Sequence, residues 1–283
     1  MINKNFDGEL IMKYDEKSGR SRRWIGICLC CTVLFVMMST PGASVAPEGV
    51  DIIFQVSTID ALMQSVYDGV IDIGELKGHG DFGIGTFEGI DGEMVAENGD
   101  YYQVRSDGTA YPVSDDMTTP FATVTYFEAD LTANVSASNI TELELVLDEI
   151  IPSKNLFYAI RIEGIFPYVK TRSIPKQSKP YPPLLDLAAN QSVFEFDMVA
   201  GTIVGFYTPE FASGLNVPGY HLHLITADRV AGGHILDLAL NGSLAEIDIT
   251  PELDMLLPTS GDFIGVDLTG DLQEDVEKVE RGG

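Results

Sequence analysis

His221-Leu222-His223 is followed after ten residues by His234, so three of the chain's four histidines fall within 14 positions. On a β-strand, residues i and i+2 leave the same face with Cβ atoms roughly 7 Å apart. Two imidazoles so placed can converge on one ion. The intervening segment, residues 226–233, is rich in turn formers, and its Gly232-Gly233 pair tolerates positive φ. Such a turn would return the chain antiparallel and set His234 beside the other two. Three neutral imidazoles hold zinc at about 2.0–2.1 Å and leave a position for water or substrate, the arrangement of a catalytic rather than a structural zinc. The competing reading is that alternating histidines are satisfied residues of an apolar core, or one face of a hairpin.

The elements that must position these residues are mostly strands. Residues 52–56 read as a strand, and Ser57-Thr58-Ile59-Asp60 opens a helix with Ile59, Leu62, Met63 and Val66 on one face and Gly69 at its C-terminal turn. Residues 71–105 are glycine-rich and alternating, as in tight hairpins. Within them Gly78-His79-Gly80-Asp81-Phe82-Gly83 matches the dinucleotide GxGxxG spacing. That fingerprint needs a helix after the glycines, and turn-rich strand follows, so nucleotide binding is excluded. His79 in this segment reads as structural, or as a support for the site.

Residues 121–129 form a further strand, and Thr141 to Glu144 reads as a capping box opening a helix to about Ile151. Residues 157–162 and 165–172 read as two strands around a Glu163-Gly164 turn. After the proline-rich 178–183, strands are expected over 192–207, 219–226, 234–241 and 243–249, then an acidic helix over 271–280. The organisation is a leader over 1–46, an N-terminal mixed-sheet part over 47–178, and a C-terminal β-rich, metal-binding part with its helical tail over 179–283.

Composition bounds the function. With 45% apolar residues and many β-branched runs, the 283-residue chain is a sheet-rich globule large enough to bury a core. The formal charge is −26, and six of the 17 Lys and Arg lie before Pro47, so the remainder is strongly acidic. No basic stripe with interleaved aromatics is present, and nucleic acid is excluded as a partner. An anionic substrate would need its own cation near the metal, for which Arg172 and Arg161 are the candidates.

All three cysteines, Cys28, Cys30 and Cys31, lie in the apolar run 24–38. Beyond them a disulfide framework, a cysteine zinc site and a thiol nucleophile are excluded. Lys17, Arg20, Arg22 and Arg23 precede that run, and small residues follow it to Ala46. This is the order of a secretory signal, with a retained membrane anchor as the alternative. Either reading places the folded part outside the cytoplasm, where Asn134, Asn139, Asn190 and Asn241 stand in glycosylation triplets.

Several blocks in one order carry a resemblance. They are Gly78 to Phe87 (GHGDFGIGTF), Ile90-Asp91-Gly92-Glu93, Tyr102 to Thr109 (YQVRSDGT), Phe157 to Gly164 (FYAIRIEG) and Val169-Lys170-Thr171-Arg172, then Val217 to His223 (VPGYHLH) and Gly232-Gly233-His234. From about residue 50 to 280 the chain resembles the α-acetolactate decarboxylases. The resemblance implies a β-rich α/β (α+β) fold of two sheet-containing parts forming one compact unit, with the metal site between them and the tail folded back, in a homodimer.

By the same resemblance, zinc (Zn2+) falls on His221, His223 and His234. The essential glutamates fall on Glu93 and Glu280, the arginine on Arg172, and a substrate-binding hydroxyl on Thr86. The implied reaction converts the small molecule (S)-2-acetolactate to (R)-acetoin and carbon dioxide. Loss of carbon dioxide leaves an electron pair that must flow onto the ketone oxygen as an enediolate, for which a metal is Lewis acid and template. Arg172 would grip the carboxylate or an enediolate oxygen in a two-point contact. One of Glu93 and Glu280 would deliver the proton, while the other places a water or closes the metal shell. The alternatives are a cupin-like oxygenase using iron on the same histidines, and an extracytoplasmic metal- or ligand-binding module.

Overall fold

The structure, a computed structural model, describes residues 51–281. The leader expected over 1–46 lies outside these residues. Among the described residues no helix is long and apolar enough to cross a membrane.

In chain order the first half contains β1 (Ile52–Val56), α1 (Ile59–Met63), β2 (Ile71–Asp72), α2 (Ile73–Leu76), β3 (Phe82–Thr86), β4 (Glu93–Glu97), β5 (Asp100–Val104), β6 (Ala110–Pro112), β7 (Thr118–Thr119), β8 (Ala122–Thr125), β9 (Leu131–Ala137) and α3 (Ile140–Ile150). The second half contains β10 (Tyr158–Ser173), α4 (Leu184–Ala188), β11 (Ser192–Thr208), β12 (Gly219–Thr226), β13 (Gly232–Ile249), β14 (Glu252–Leu256) and α5 (Gln273–Arg281).

A seven-stranded sheet has the order β14-β1-β8-β3-β4-β5-β6, and a five-stranded sheet the order β10-β11-β12-β13-β9. A further β10–β13 pairing closes four strands of the second sheet into a ring. Both sheets draw strands from either side of the proline-rich 178–183, since β9 and β10 join β11 to β13 while β14 pairs in parallel with β1. This is the β-rich α+β class expected from the resemblance.

The period-2 alternation of strands sorts the core into layers. Ile53, Ile84, Val95 and Val104 of the first sheet meet Ala159, Val204, Phe206 and Ile225 of the second. The alternate residues Phe54, Val56, Met94, Ala96 and Val124 pack on the opposite face under Ile73 and Leu76 of α2. Each fully buried Ile or Phe contributes roughly 1.5–3 kcal/mol. Leu222 and Leu224 turn into the ring of the second sheet with Ile160, Ile162 and Leu238, covered by Leu143 and Leu147 of α3.

Several local expectations need correction. Helix α1 ends at Met63 rather than near Val66, because Ser65 (φ 69) and not Gly69 takes the left-handed turn. Val66 N–H donates to Ala61 O (3.0 Å) and Ser65 N–H to Leu62 O (3.2 Å), a closed Schellman end. The cap of α3 is Asn139, whose side chain accepts from Glu142 N–H (2.8 Å), while Glu142 accepts from Ser138 N–H (2.8 Å); the box sits two residues before Thr141. No turn occurs at Glu163-Gly164. Strand β10 runs straight through, with Gly164 opposite Gly201 in the ladder.

Asp248, near the end of β13, is fully buried, and one of its oxygens accepts from Glu128 N–H (3.1 Å) while the other has no partner. Burial, reinforced by nearby Asp51 and Asp130, pushes its pKa up to about 7. Its unfolded value is near 3.9. The folded state therefore keeps a proton that the unfolded chain releases, and stability declines as pH rises from about 4 to about 7. Asp248→Asn is expected to leave the melting temperature near wild type at pH 4.5 and to raise it by several degrees at pH 8. A gap between the two proteins that does not change with pH would refute this titration.

Candidate metal centre

Strand alternation sends His221 and His223 of β12 to the same face as Ile225, toward the first sheet, and Glu93 of β4 to the same face as Val95, toward the second. Ladder register completes the group. His223 lies opposite His234 on β13, and Arg172 of β10 lies opposite His234 on its other side. The expected turn exists, but Arg229 (φ 60) makes the reversal, with Thr226 Oγ1 donating to Asp228 (2.7 Å). The glycine pair sits inside β13, where Gly233 (φ 126) is required by close approach: a Cβ there would lie 2.6 Å from Arg172 O.

His221, His223 and His234 are 8%, 1% and 2% exposed, and they form the group of potential metal ligands found among the described residues. His221 Nε2 is 3.2 Å from His223 Nε2 and 3.1 Å from His234 Nδ1. His223 Nδ1 is 2.8 Å from Met94 O and His234 Nε2 is 2.8 Å from Glu280 O, so each of those nitrogens donates its proton to a carbonyl. The inward nitrogens of these two rings are then bare lone pairs. A single proton on His221 can bridge only one of the two gaps, and His221 Nδ1 is buried without a partner. A cation bound by all three inward nitrogens removes the conflict. Carbonyls that fix the tautomers of ligating histidines are the usual support for such a site. The residues fit a divalent metal.

Burial also holds the three rings neutral, with His221 pushed down to about 3 and the other two well below the ordinary histidine range. Arg172, 4% exposed, lies beside them, its Nη1 donating to Glu93 Oε1 (3.0 Å) and its Nη2 3.6 Å from Glu280 Oε1. Both carboxyl groups are pushed up to about 7 by burial, against the pull of Arg172. A divalent cation would draw both back down.

Glu280 Oε2 has no hydrogen-bond partner and lies 3.4 Å from His221 Nε2 and 3.6 Å from His234 Nε2, whereas Glu93 Oε2 is 3.8 Å from His223 Nε2. Helix α5 delivers Glu280 by burying Val276 and Val279 against Leu62, Ile90 and Leu184, and Arg281 is tied to Glu144 (3.0 Å).

All of the site residues expected from the sequence are therefore in one place, with two changes of detail. Thr86 lines the cavity, but its Oγ1 donates to Gly92 O (2.7 Å) and so fastens a turn. Both terminal nitrogens of Arg172 face glutamates, so a two-point grip on a substrate carboxylate is not free; its Nε, buried and without a partner, is. Arg161 is elsewhere, paired with Glu246 (2.8 Å) and lying over the Phe127 ring. His79 is outside the group, stacked on Phe54 with 3.7 Å between ring centroids. Sequence reasoning missed the carbonyls of Met94 and Glu280, which no residue type announces. It also missed the apolar wall of Ile59, Leu62, Ile90, Phe121, Ile174 and Leu184.

The profile of the alpha-acetolactate decarboxylase family matches residues 53–270. The chain belongs to that family. It is 59% identical over 232 residues to the alpha-acetolactate decarboxylase of Methanosarcina mazei, covering 82% of this chain and 81% of the relative. It is 43% identical over 230 residues to that of Bacillus subtilis, covering 81% and 90%. The crystal structure of the Bacillus subtilis strain 168 enzyme superposes with a TM-score of 0.79 at 41% identity, over 82% of this chain and all of that one. As a member of the alpha-acetolactate decarboxylase family the chain is a carboxy-lyase. The family match ends before α5, so the position of Glu280 rests on the packing of that helix against the metal centre.

Proposed function

We propose that this protein converts (S)-2-acetolactate to (R)-acetoin and carbon dioxide, using zinc held by His221, His223 and His234. The observation that carries this reading is the convergence of three inward imidazole nitrogens, with His221 Nε2 within 3.2 Å of the other two, beside a buried Glu93–Arg172–Glu280 row, in a chain of this family. Three imidazoles with a carboxylate nearby suit zinc among the common divalent ions. When bound, the metal supplies a Lewis acid for the charge that decarboxylation develops.

The chain's own groups account for the rest. The bond from C2 to the carboxylate breaks and its electron pair moves onto the ketone oxygen, while one proton per turnover must reach carbon. Glu93 is placed to give that proton, since its carboxyl lies farther from the trio than that of Glu280 and is held by Arg172. Glu280, with an unpartnered oxygen closest to the histidines, would help to hold the metal. Arg172 Nε, buried and without a partner, is the donor left for a substrate oxygen, a fixed positive charge beside the histidines. Protonation from Glu93 on one face makes a single enantiomer.

The test is metal content together with acetoin and carbon dioxide release by the purified protein. About one zinc per chain and equal amounts of the two products support the reading; bound metal with no acetoin overturns it. A chelator is expected to abolish turnover and lower the melting temperature, and added zinc to restore both, because a ligand of the native state alone stabilises it. The same reading has the folded part outside the cytoplasm, supported by the basic, apolar, small-residue order of residues 17–46, and as a homodimer, which sedimentation checks.

A further inference from the structure

The turn joining Thr86 to Glu93 contains a backbone anomaly. Ile90 is β-branched, 3% exposed, and has φ 54, a left-handed conformation that such residues rarely adopt. Glycine would occupy this position without strain, as Gly89 (φ 74) and Gly92 (φ 81) do on either side. The conformation persists because its surroundings over-determine it. Gly89 N–H donates to Tyr67 O (2.9 Å), Gln177 N–H to Gly89 O (2.7 Å), and Gly92 N–H to Ile174 O (3.0 Å). Side chains complete the clamp, with Gln103 Nε2 donating to Asp91 O (2.6 Å) and Thr86 Oγ1 to Gly92 O (2.7 Å). Strain held in this way is found where a side chain has to be placed.

That side chain is placed in the wall of the cavity at the metal centre. One wall carries Thr86, Glu93, Arg172, His221, His223 and Glu280; the other is apolar, built from α1, α4, Phe121, Ile174 and Ile90. The space between them is about 30 Å³, so an added methylene directed at the apolar wall meets its side chains. The other apolar residues lie on helices, strands or their flanks and take ordinary backbone conformations. Ile90 alone enters from the strained turn that also sets the spacing of Thr86 and Glu93.

We propose that Ile90 is the specificity-determining residue that limits the size of the substrate's alkyl groups. The inference rests on the decarboxylase reading above. Acetolactate carries two methyl groups, one on C2 and one on the acetyl carbon. Against them the Ile90 side chain excludes a longer chain by occupying the space an added methylene would need. A hydrophobic pocket discriminates a single methylene by about 10- to 200-fold.

The experiment compares zinc-loaded wild type with Ile90→Ala and Ile90→Gly. Substrates are acetolactate and its two homologues in which ethyl replaces one or the other methyl. The expected result is a rise of at least about 10-fold in the kcat/KM ratio of one homologue to acetolactate, in both variants, with zinc content unchanged. The glycine variant relieves the backbone strain and guards against misfolding of the alanine variant. If the ratios for both homologues stay within twofold of wild type, Ile90 does not set the limit. The same conclusion follows if neither variant folds, which would make it a packing residue. Wild type inactive on all three substrates would instead overturn the decarboxylase reading, and this inference with it; an active wild type with unmoved ratios overturns the role of Ile90 alone.

Discussion

Replacing His223 with alanine is expected to abolish metal binding and to lower kcat/KM by at least about 10³-fold, equivalent to about 4 kcal/mol of transition-state stabilisation. His223 is the most deeply buried of the three histidines, and its Nδ1 proton is committed to Met94 O, so its Nε2 has one orientation and no substitute within reach. With it gone, two imidazoles and a carboxylate remain, and the metal proposed as Lewis acid would be held too weakly to act. The measurement is zinc per chain by elemental analysis alongside acetoin release. A melting curve serves as the check that the truncated side chain has not unfolded the inter-sheet layer. His79→Ala, which alters only the stack on Phe54, is expected to keep metal and activity. A His223→Ala protein that retains zinc and turnover would remove the histidine trio as the centre.

Glu93→Gln is expected to separate metal binding from catalysis. Glutamine keeps the shape of the side chain and a hydrogen-bond acceptor for Arg172 Nη1, so the protein should fold and hold its zinc. It cannot supply a proton, and kcat is expected to fall by about 10²- to 10⁴-fold with little change in KM. The sign of the pH dependence follows from the same role. The donor form is the protonated carboxyl, so kcat of wild type declines as pH rises through the pKa of this group in the loaded enzyme, and that limb flattens in the variant. Glu280→Gln should behave differently, lowering zinc affinity, because its unpartnered oxygen is the one nearest the histidines. If Glu93→Gln loses zinc while Glu280→Gln keeps it and loses turnover, the two roles are exchanged.

The limits of reading from sequence are visible in particular elements. The sequence of β10 reads as two strands because Glu163-Gly164 has turn chemistry and ordinary strands average only about five or six residues. It runs to 16 residues because β11 and β13 pair along both its edges, information that no local window contains. The misplaced caps of α1 and α3 have a similar origin. At the end of α1 the packing of Ile59 and Leu62 with Val276 and Val279 accompanies the early stop, and at the start of α3 the Asn139–Glu142 hydrogen bond places the cap ahead of Thr141.

What the sequence determined by itself is what depends on short range and on residue type. Two histidines two apart on a strand must share a face, a third just beyond a tight turn must come back beside them, and imidazole nitrogens suit a divalent metal. The ordered blocks from Gly78 to His234 then pointed to the family. Tertiary structure alone decided which partners those residues meet. Arg172 lies between Glu93 and Glu280, Met94 and Glu280 carbonyls orient the rings, and Ile90 is forced into the cavity wall. The contacts among them join residues from 46 to 129 positions apart. They exist only because two sheets pack face to face and a two-valine stripe seats α5 against them, and that follows from the burial of whole layers rather than from any single stretch of chain.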